Sequence, residues 1–226
     1  MALLVCSCSH RDIVPASALA GVTADACTVV VRDLCALIQE GGAGLAEFTR
    51  MGGRVAACHP RAVRALFAAV GVDFPEDRVI DLRAGASLPD NGGDTVPCPP
   101  LGSAPDEDAW FPAIDRDRCT NCGRCADFCL FGVYRKTEQG RIEVARPVKC
   151  KLDCPACARI CPENATVFAK SPDEAINGAR LSPEELASAR IRLSPEELAG
   201  GNLHAKLAAR SGRRRLLKPD ALGEDS

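Results

Sequence analysis

Cys119-Thr-Asn-Cys122-Gly-Arg-Cys125-Ala-Asp-Phe-Cys129 and, further along, Cys150-Lys-Leu-Asp-Cys154-Pro-Ala-Cys157-Ala-Arg-Ile-Cys161-Pro162 are the stretches that decide how this chain folds. Each sets four cysteines within one short loop, spaced x2-x2-x3 in the first and x3-x2-x3 in the second. A Cys every third or fourth residue wraps three thiolates round one face of a small inorganic cluster, and the fourth must come from elsewhere in the chain. Zinc sites are built instead from Cys-x2-Cys pairs with longer spacers between them, which two runs this tight fit poorly. Disulfide scaffolds belong to short exported chains. Here the chain has 226 residues, and residues 1–12 show no basic segment followed by an apolar one, so no secretory signal and a reducing, cytoplasmic setting are expected.

Within a domain expected at residues 110–170, residues 112–170 resemble the bacterial 2[4Fe–4S] ferredoxin family, and Pro162 after the last cysteine is part of that likeness. The resemblance implies crossed ligation. One [4Fe–4S] cluster would take Cys119, Cys122, Cys125 and Cys161; the other would take Cys129, Cys150, Cys154 and Cys157. Two departures stand out. The second run opens with one residue too many, so Cys150 is the ligand in question, with a [3Fe–4S] cluster or a non-Cys ligand as the alternative. Cys129 is followed by Leu130-Phe131-Gly132 and not directly by Pro. Between the runs, residues 133–136 and 141–144 flank Thr137-Glu138-Gln139-Gly140 as a hairpin.

Upstream, residues 1–84 alternate short apolar runs with helical stretches. Strands are expected at 2–5, 28–31, 54–57 and 79–82. The clearest helix follows Pro60, with Val63, Leu66, Phe67 and Val70 on one face and Gly71 as its stop. Strands separated by helices predict a small, mostly parallel α/β domain, so the fold class is α/β plus α+β. If the first three strands are parallel, their carboxyl ends gather Cys6, Cys8, Cys35 and Cys58 at one sheet edge, where open α/β sheets bind ligands. Cys58 also precedes a helix N-terminus, which favours a thiolate. These four cysteines read either as a third [4Fe–4S] site or as buried or redox-active thiols. Cys27 belongs at the opposite edge, Cys98 reads as incidental, and His10 and His59 as solvated or capping residues.

Cys6-Ser-Cys8, Asp33-Leu34-Cys35 and Ala56-Ala57-Cys58-His59-Pro60-Arg61 also resemble the N-terminal region of the flavoprotein component of heterodisulfide reductase. That resemblance implies an electron-transfer module working beside a flavin, hence a flavoprotein as redox partner. The chain itself carries no Gly-x-Gly-x-x-Gly after a strand, so neither FAD nor NAD is expected on it. Gly41-Gly42-Ala43-Gly44 reads as a turn.

Residues 85–109 read as a Gly/Pro-rich linker and 171–226 as a helical extension with a basic tail at Arg213-Arg214-Arg215. Ser182-Pro183-Glu184-Glu185 spells a capping box, flanked by Leu181 and Leu186 as a hydrophobic staple. The same string recurs at 193–198, and Ser171-Pro172-Asp173-Glu174 is a weaker copy, taken as another helix start. With 28 Lys+Arg against 30 Asp+Glu, the charge excludes a dedicated nucleic-acid binder. The apolar runs are too short to insert in a membrane. No catalytic constellation stands out. The expected function is therefore that of an electron carrier, not an enzyme. The alternatives are membership of a heterodisulfide-reductase-like complex, as its electron-transfer subunit, and a thiol or cluster redox sensor.

Overall fold

Four short apolar runs form one parallel sheet. In the computed structural model, which describes residues 2–8, 11–88, 96–102 and 108–189, these are β1 (Leu3–Cys6), β2 (Thr28–Val31), β3 (Arg54–Ala57) and β4 (Val79–Asp81). Their order is β2-β1-β3-β4, with Leu3 beside Thr28 and Arg54, and Val55 beside Val79. All pairs are parallel, so every strand ends on the same edge. β1 is buried along its whole length, as a central parallel strand must be.

Three helices join the strands. Asp33 caps α1 (Leu34–Gln39) by accepting from the Cys35 amide at 2.8 Å. α2 (Leu45–Arg50), which the sequence reading passed over, starts at Gly44, whose left-handed φ of 84° no side chain adopts easily. A Cβ there would also lie 2.3 Å from the Pro100 carbonyl. α3 (Pro60–Ala69) begins with Pro60 in its first turn and buries Val63, Leu66 and Phe67. Gly71 follows it at a φ of 75°, the expected stop.

The second half holds β5 (Ala113–Ile114), α4 (Arg124–Phe128), β6 (Tyr134–Lys136), β7 (Ile142–Val144), α5 (Ala156–Arg159) and β8 (Thr166–Val167). β6 and β7 form the expected hairpin, and β5 pairs antiparallel with β8. The β5–β8 ribbon stands between two hydrophobic cores. Phe111, Ala113, Val167 and Ala169 join the core of the parallel sheet; Trp110, Ile114 and Phe168 join that of the cysteine loops. The two-residue alternation of a strand thus serves one core on each face. Leu88, Cys98 and Leu101, from the stretch read as a linker, pack against the sheet core.

Ion pairs between the halves reinforce that ribbon. The buried Arg61 of α3 reaches Asp115 at 2.7 Å and also donates to the Asn164 carbonyl. Buried Lys170 bridges Asp33 and Asp108, and Arg11 bridges Asp108 and Asp153, both at 2.6 Å. Arg83 donates to the carbonyls of Ala169 and Ser171.

α6 (Pro183–Ala189) opens on the expected capping box: the Ser182 amide donates to Glu185, and the Glu185 amide to the Ser182 hydroxyl. The helix start read at Ser171 is corrected. Asp173 instead turns the chain by accepting from the Ala175 amide, and the Phe168 amide closes the loop on the Ile176 carbonyl. His10, the repeat at 193–198 and Arg213–Arg215 lie outside the described residues.

Candidate iron–sulfur sites

The first cysteine loop is wound by two residues in the left-handed region, Asn121 (φ 56°) and Gly123 (φ 84°), the second of them leading into α4. Asn121 also fixes the loop to the hairpin, its side-chain oxygen accepting from the Ile142 amide at 3.1 Å. Cys119, Cys122 and Cys125 line one cavity together with Cys161 and Pro162 of the second loop. The Cys161 sulfur accepts from the Ala165 amide at 3.2 Å. Burial pushes the Cys125 thiol up to about 12, and the sulfurs of Cys157, Cys161 and Cys119 push the same way.

Cys129 ends α4 and lines a second cavity with Cys150, Cys154 and Cys157. The extra residue after Cys150 is taken up by a turn: the Cys154 amide donates to the Lys151 carbonyl, and Asp153 sits at a φ of 59°. Cys150 therefore faces the same cavity as its three companions. Its thiol is raised to about 12 by burial and by the sulfurs of Cys157, Cys154 and Cys129. Burial likewise raises Cys157 to about 11, against the Tyr134 hydroxyl that donates to its sulfur at 3.1 Å. Tyr134 is the single tyrosine of the chain, and the sequence reading missed it. Its place on the buried side of a hairpin beside the loops was the available signal.

Both cavities thus draw three cysteines from one loop and one from the other, and thiolate is the ligand type that iron–sulfur clusters take. The Cys125, Cys150 and Cys157 thiols, raised in this way, resist ionisation, so a metal that binds them must displace their protons. Among the described residues, no three His, Cys, Asp or Glu side chains lie close enough to hold a single metal ion.

At the carboxyl edge of the parallel sheet the strands bring Cys6, Cys8, Cys35 and Cys58 together. Cys6, Cys8 and Cys35 are buried, and Cys58 is half-buried. The Cys8 thiol is raised, first by its hydrogen bond with Cys6, then by burial and by the sulfurs of Cys6, Cys35 and Cys58. Burial raises Cys58 to about 12, with Cys6 adding to it. The Cys6 sulfur accepts from the Leu34 amide at 3.3 Å. Burial pulls the Lys170 ammonium down, but the Cys35 sulfur, Asp33 and Asp108 outweigh it and hold the group charged. His59 turns to Asp81 at 3.0 Å. Cys27 precedes β2 at the other edge; burial raises the Cys98 thiol and the Cys27 sulfur adds to it, so these two accompany each other away from the four.

A family model described as a 4Fe–4S binding domain matches residues 111–134, which contain the first quartet. The class is that of 4Fe–4S iron–sulfur proteins. An uncharacterized ferredoxin of Methanocaldococcus jannaschii is 45% identical over 69 residues, covering 30% of this chain and 44% of that protein. Ferredoxin-3 of Nostoc is 37% identical over 24% of this chain and 77% of its own length, and a second M. jannaschii ferredoxin is 39% identical over 24% and 73%. Through this segment the chain belongs to the ferredoxins, iron–sulfur proteins of electron transport, while it spans less than half of the first relative's length. No helix among the described residues is long and apolar enough to cross a membrane.

Proposed function

We propose that the chain carries two [4Fe–4S] clusters with crossed ligands and passes single electrons to or from a partner oxidoreductase. Cys119, Cys122, Cys125 and Cys161 hold one cluster, and Cys129, Cys150, Cys154 and Cys157 the other. The observation that carries this reading is the composition of the two cavities, three cysteines from one loop and one from its neighbour in each. A bound [4Fe–4S] cluster supplies one-electron chemistry at a potential set by its surroundings. The chain's part is to hold eight sulfurs in place and to aim donors at them. The Ala165 amide at Cys161 and the Tyr134 hydroxyl at Cys157 favour the more negative state of the sulfurs they touch.

A second reading concerns the sheet edge. Cys6, Cys8, Cys35 and Cys58 hold a third [4Fe–4S] cluster, supported by the mutual influence of their four sulfurs and by the buried Lys170 cation beside Cys35. The chain then serves as a relay subunit for a flavoprotein of the heterodisulfide-reductase kind. If the four remain thiols, they serve as packing residues or as a thiol redox sensor beside the two clusters.

Iron and acid-labile sulfide per chain, measured after anaerobic purification, test both readings. About eight of each supports two clusters and about twelve supports three. Negligible iron after reconstitution overturns both. At twelve, Cys58→Ala is expected to remove about four irons and Cys27→Ala none; equal loss from both variants overturns the third site.

A further inference from the structure

Large apolar side chains are exposed where the second cysteine cavity opens. Leu130 is 93% exposed, Leu152 53%, Phe128 50% and Phe131 42%, and all four line the cavity that Cys129 and Cys154 share. Val148, two residues before Cys150, is 69% exposed. Only three other large apolar residues of the described chain are exposed: Val30, Met51 and Val96. A patch gathered in this way marks a contact surface more often than chance.

Its border is basic. Arg146, Lys149 and Lys151 are exposed and belong to the same stretch as Val148 and Leu152. Arg146 reaches the patch itself, since a Cβ on Gly132 would lie 3.1 Å from its guanidinium. None of the three forms an ion pair among the described residues; the acid on this loop, Asp153, is taken by Arg11. Asp127, on α4, is the one further exposed acid close to Cys129 in sequence. Interfaces join an apolar centre to a polar rim, and rim charges of opposite sign steer the encounter.

We infer that this face is where the electron partner docks, and that the partner is a protein with an apolar centre rimmed by carboxylates. The inference rests on the dicluster reading, because its value lies in bringing that partner over the Cys129/Cys150/Cys154/Cys157 site. A partner seated elsewhere would have no use for five apolar side chains turned to water round a redox centre.

The full chain, loaded with its clusters, is adsorbed on gold bearing a mixed methyl- and carboxylate-terminated monolayer, a mimic of such a partner, and on an ammonium-terminated one. Iron and sulfide content is read first. A chain without iron overturns the dicluster reading and the inference with it. With iron in place, electron exchange is expected to be faster on the methyl/carboxylate surface by about tenfold or more, and slower at high salt. Compared at equal iron content, Leu130→Ser with Leu152→Ser should remove the advantage, as should Arg146→Glu with Lys149→Glu. Equal exchange on both surfaces, or variants that behave as the parent, overturns the inference. Two further outcomes overturn it in favour of another occupant. One is binding to phosphatidylserine vesicles that both double variants abolish, which assigns the face to a membrane. The other is a dimer in sedimentation that Leu130→Ser with Leu152→Ser dissolves, which assigns it to a second copy.

Discussion

The sheet edge and the cysteine loops hold their sulfurs by different means. At the edge, regular strands deliver Cys6, Cys8, Cys35 and Cys58, and hydrophobic packing fixes those strands whether or not anything is bound: β1 is buried throughout and α3 buries Val63, Leu66 and Phe67. In the loops, one-turn helices and left-handed residues such as Asn121, Gly123 and Asp153 carry cysteines that are mostly half-buried or exposed; Cys157 lies in the local core, and Cys119, Cys125, Cys129 and Cys150 pack at its edge. There, sulfur stands where a fold of this size would normally place carbon. The sheet edge is a scaffold packed without a ligand; in the proposed dicluster reading, the loops take theirs as part of their core.

The largest expected effect follows from that contrast. Removing iron with a chelator under anaerobic conditions should release amides of residues 119–161 toward unprotected exchange, while those of β1 and β3 keep their protection. Hydrogen exchange read by mass spectrometry separates the two regions. Equal loss in both, or none in either, breaks the comparison.

A smaller effect should cross the boundary between them. Arg61 and Asp115 are both buried, and Arg61→Ala leaves the Asp115 carboxylate without its main partner and the Asn164 carbonyl without a donor. Breaking a buried pair from one side costs about 3–5 kcal/mol. The loss should appear in denaturant unfolding of the whole 1–186 unit, because the pair ties α3 to the β5–β8 ribbon. A variant that loosens the loops alone would show that the two halves unfold independently.

How much of this was legible in the sequence depended on the range of the signal. The strands at 28–31 and 54–57 and the helix after Pro60 follow from local periodicity and turn chemistry, and they appear where expected. The convergence of Cys6, Cys8, Cys35 and Cys58 followed from one topological assumption, parallel strands, which the register bears out. Asp33, Asp108 and Lys170 gave no such warning. They meet across sequence separations of 62 and 137 residues, and nothing local distinguishes a buried Lys from a solvated one. The false helix start at Ser171 fails for a related reason. Ser-Pro-Asp-Glu begins a helix only if the next turn is free to wind, and here Gly178 must lie against α3, where a Cβ would come within 2.9 Å of the Ala62 amide nitrogen.

The smallest effect tests Asp108, where both regions meet. Burial pushes its carboxyl up, but hydrogen bonds from Lys170 and Arg11 outweigh this and hold it below the ordinary carboxylate range. A carboxyl lowered in the folded state contributes stability above its unfolded pKa of about 3.9, and loses that contribution as pH falls through the folded value. Asp108→Asn removes the contribution at neutral pH without orphaning a charge, since Lys170 keeps Asp33 and Arg11 keeps Asp153. The parent chain should therefore exceed the variant in denaturant midpoint at pH 7, and the gap should narrow as pH approaches 3. Acid loss of iron affects both proteins alike, so the difference between them isolates the carboxyl. A gap that stays constant with pH would mean that Asp108 joins the sheet edge to the loops by shape and not by charge.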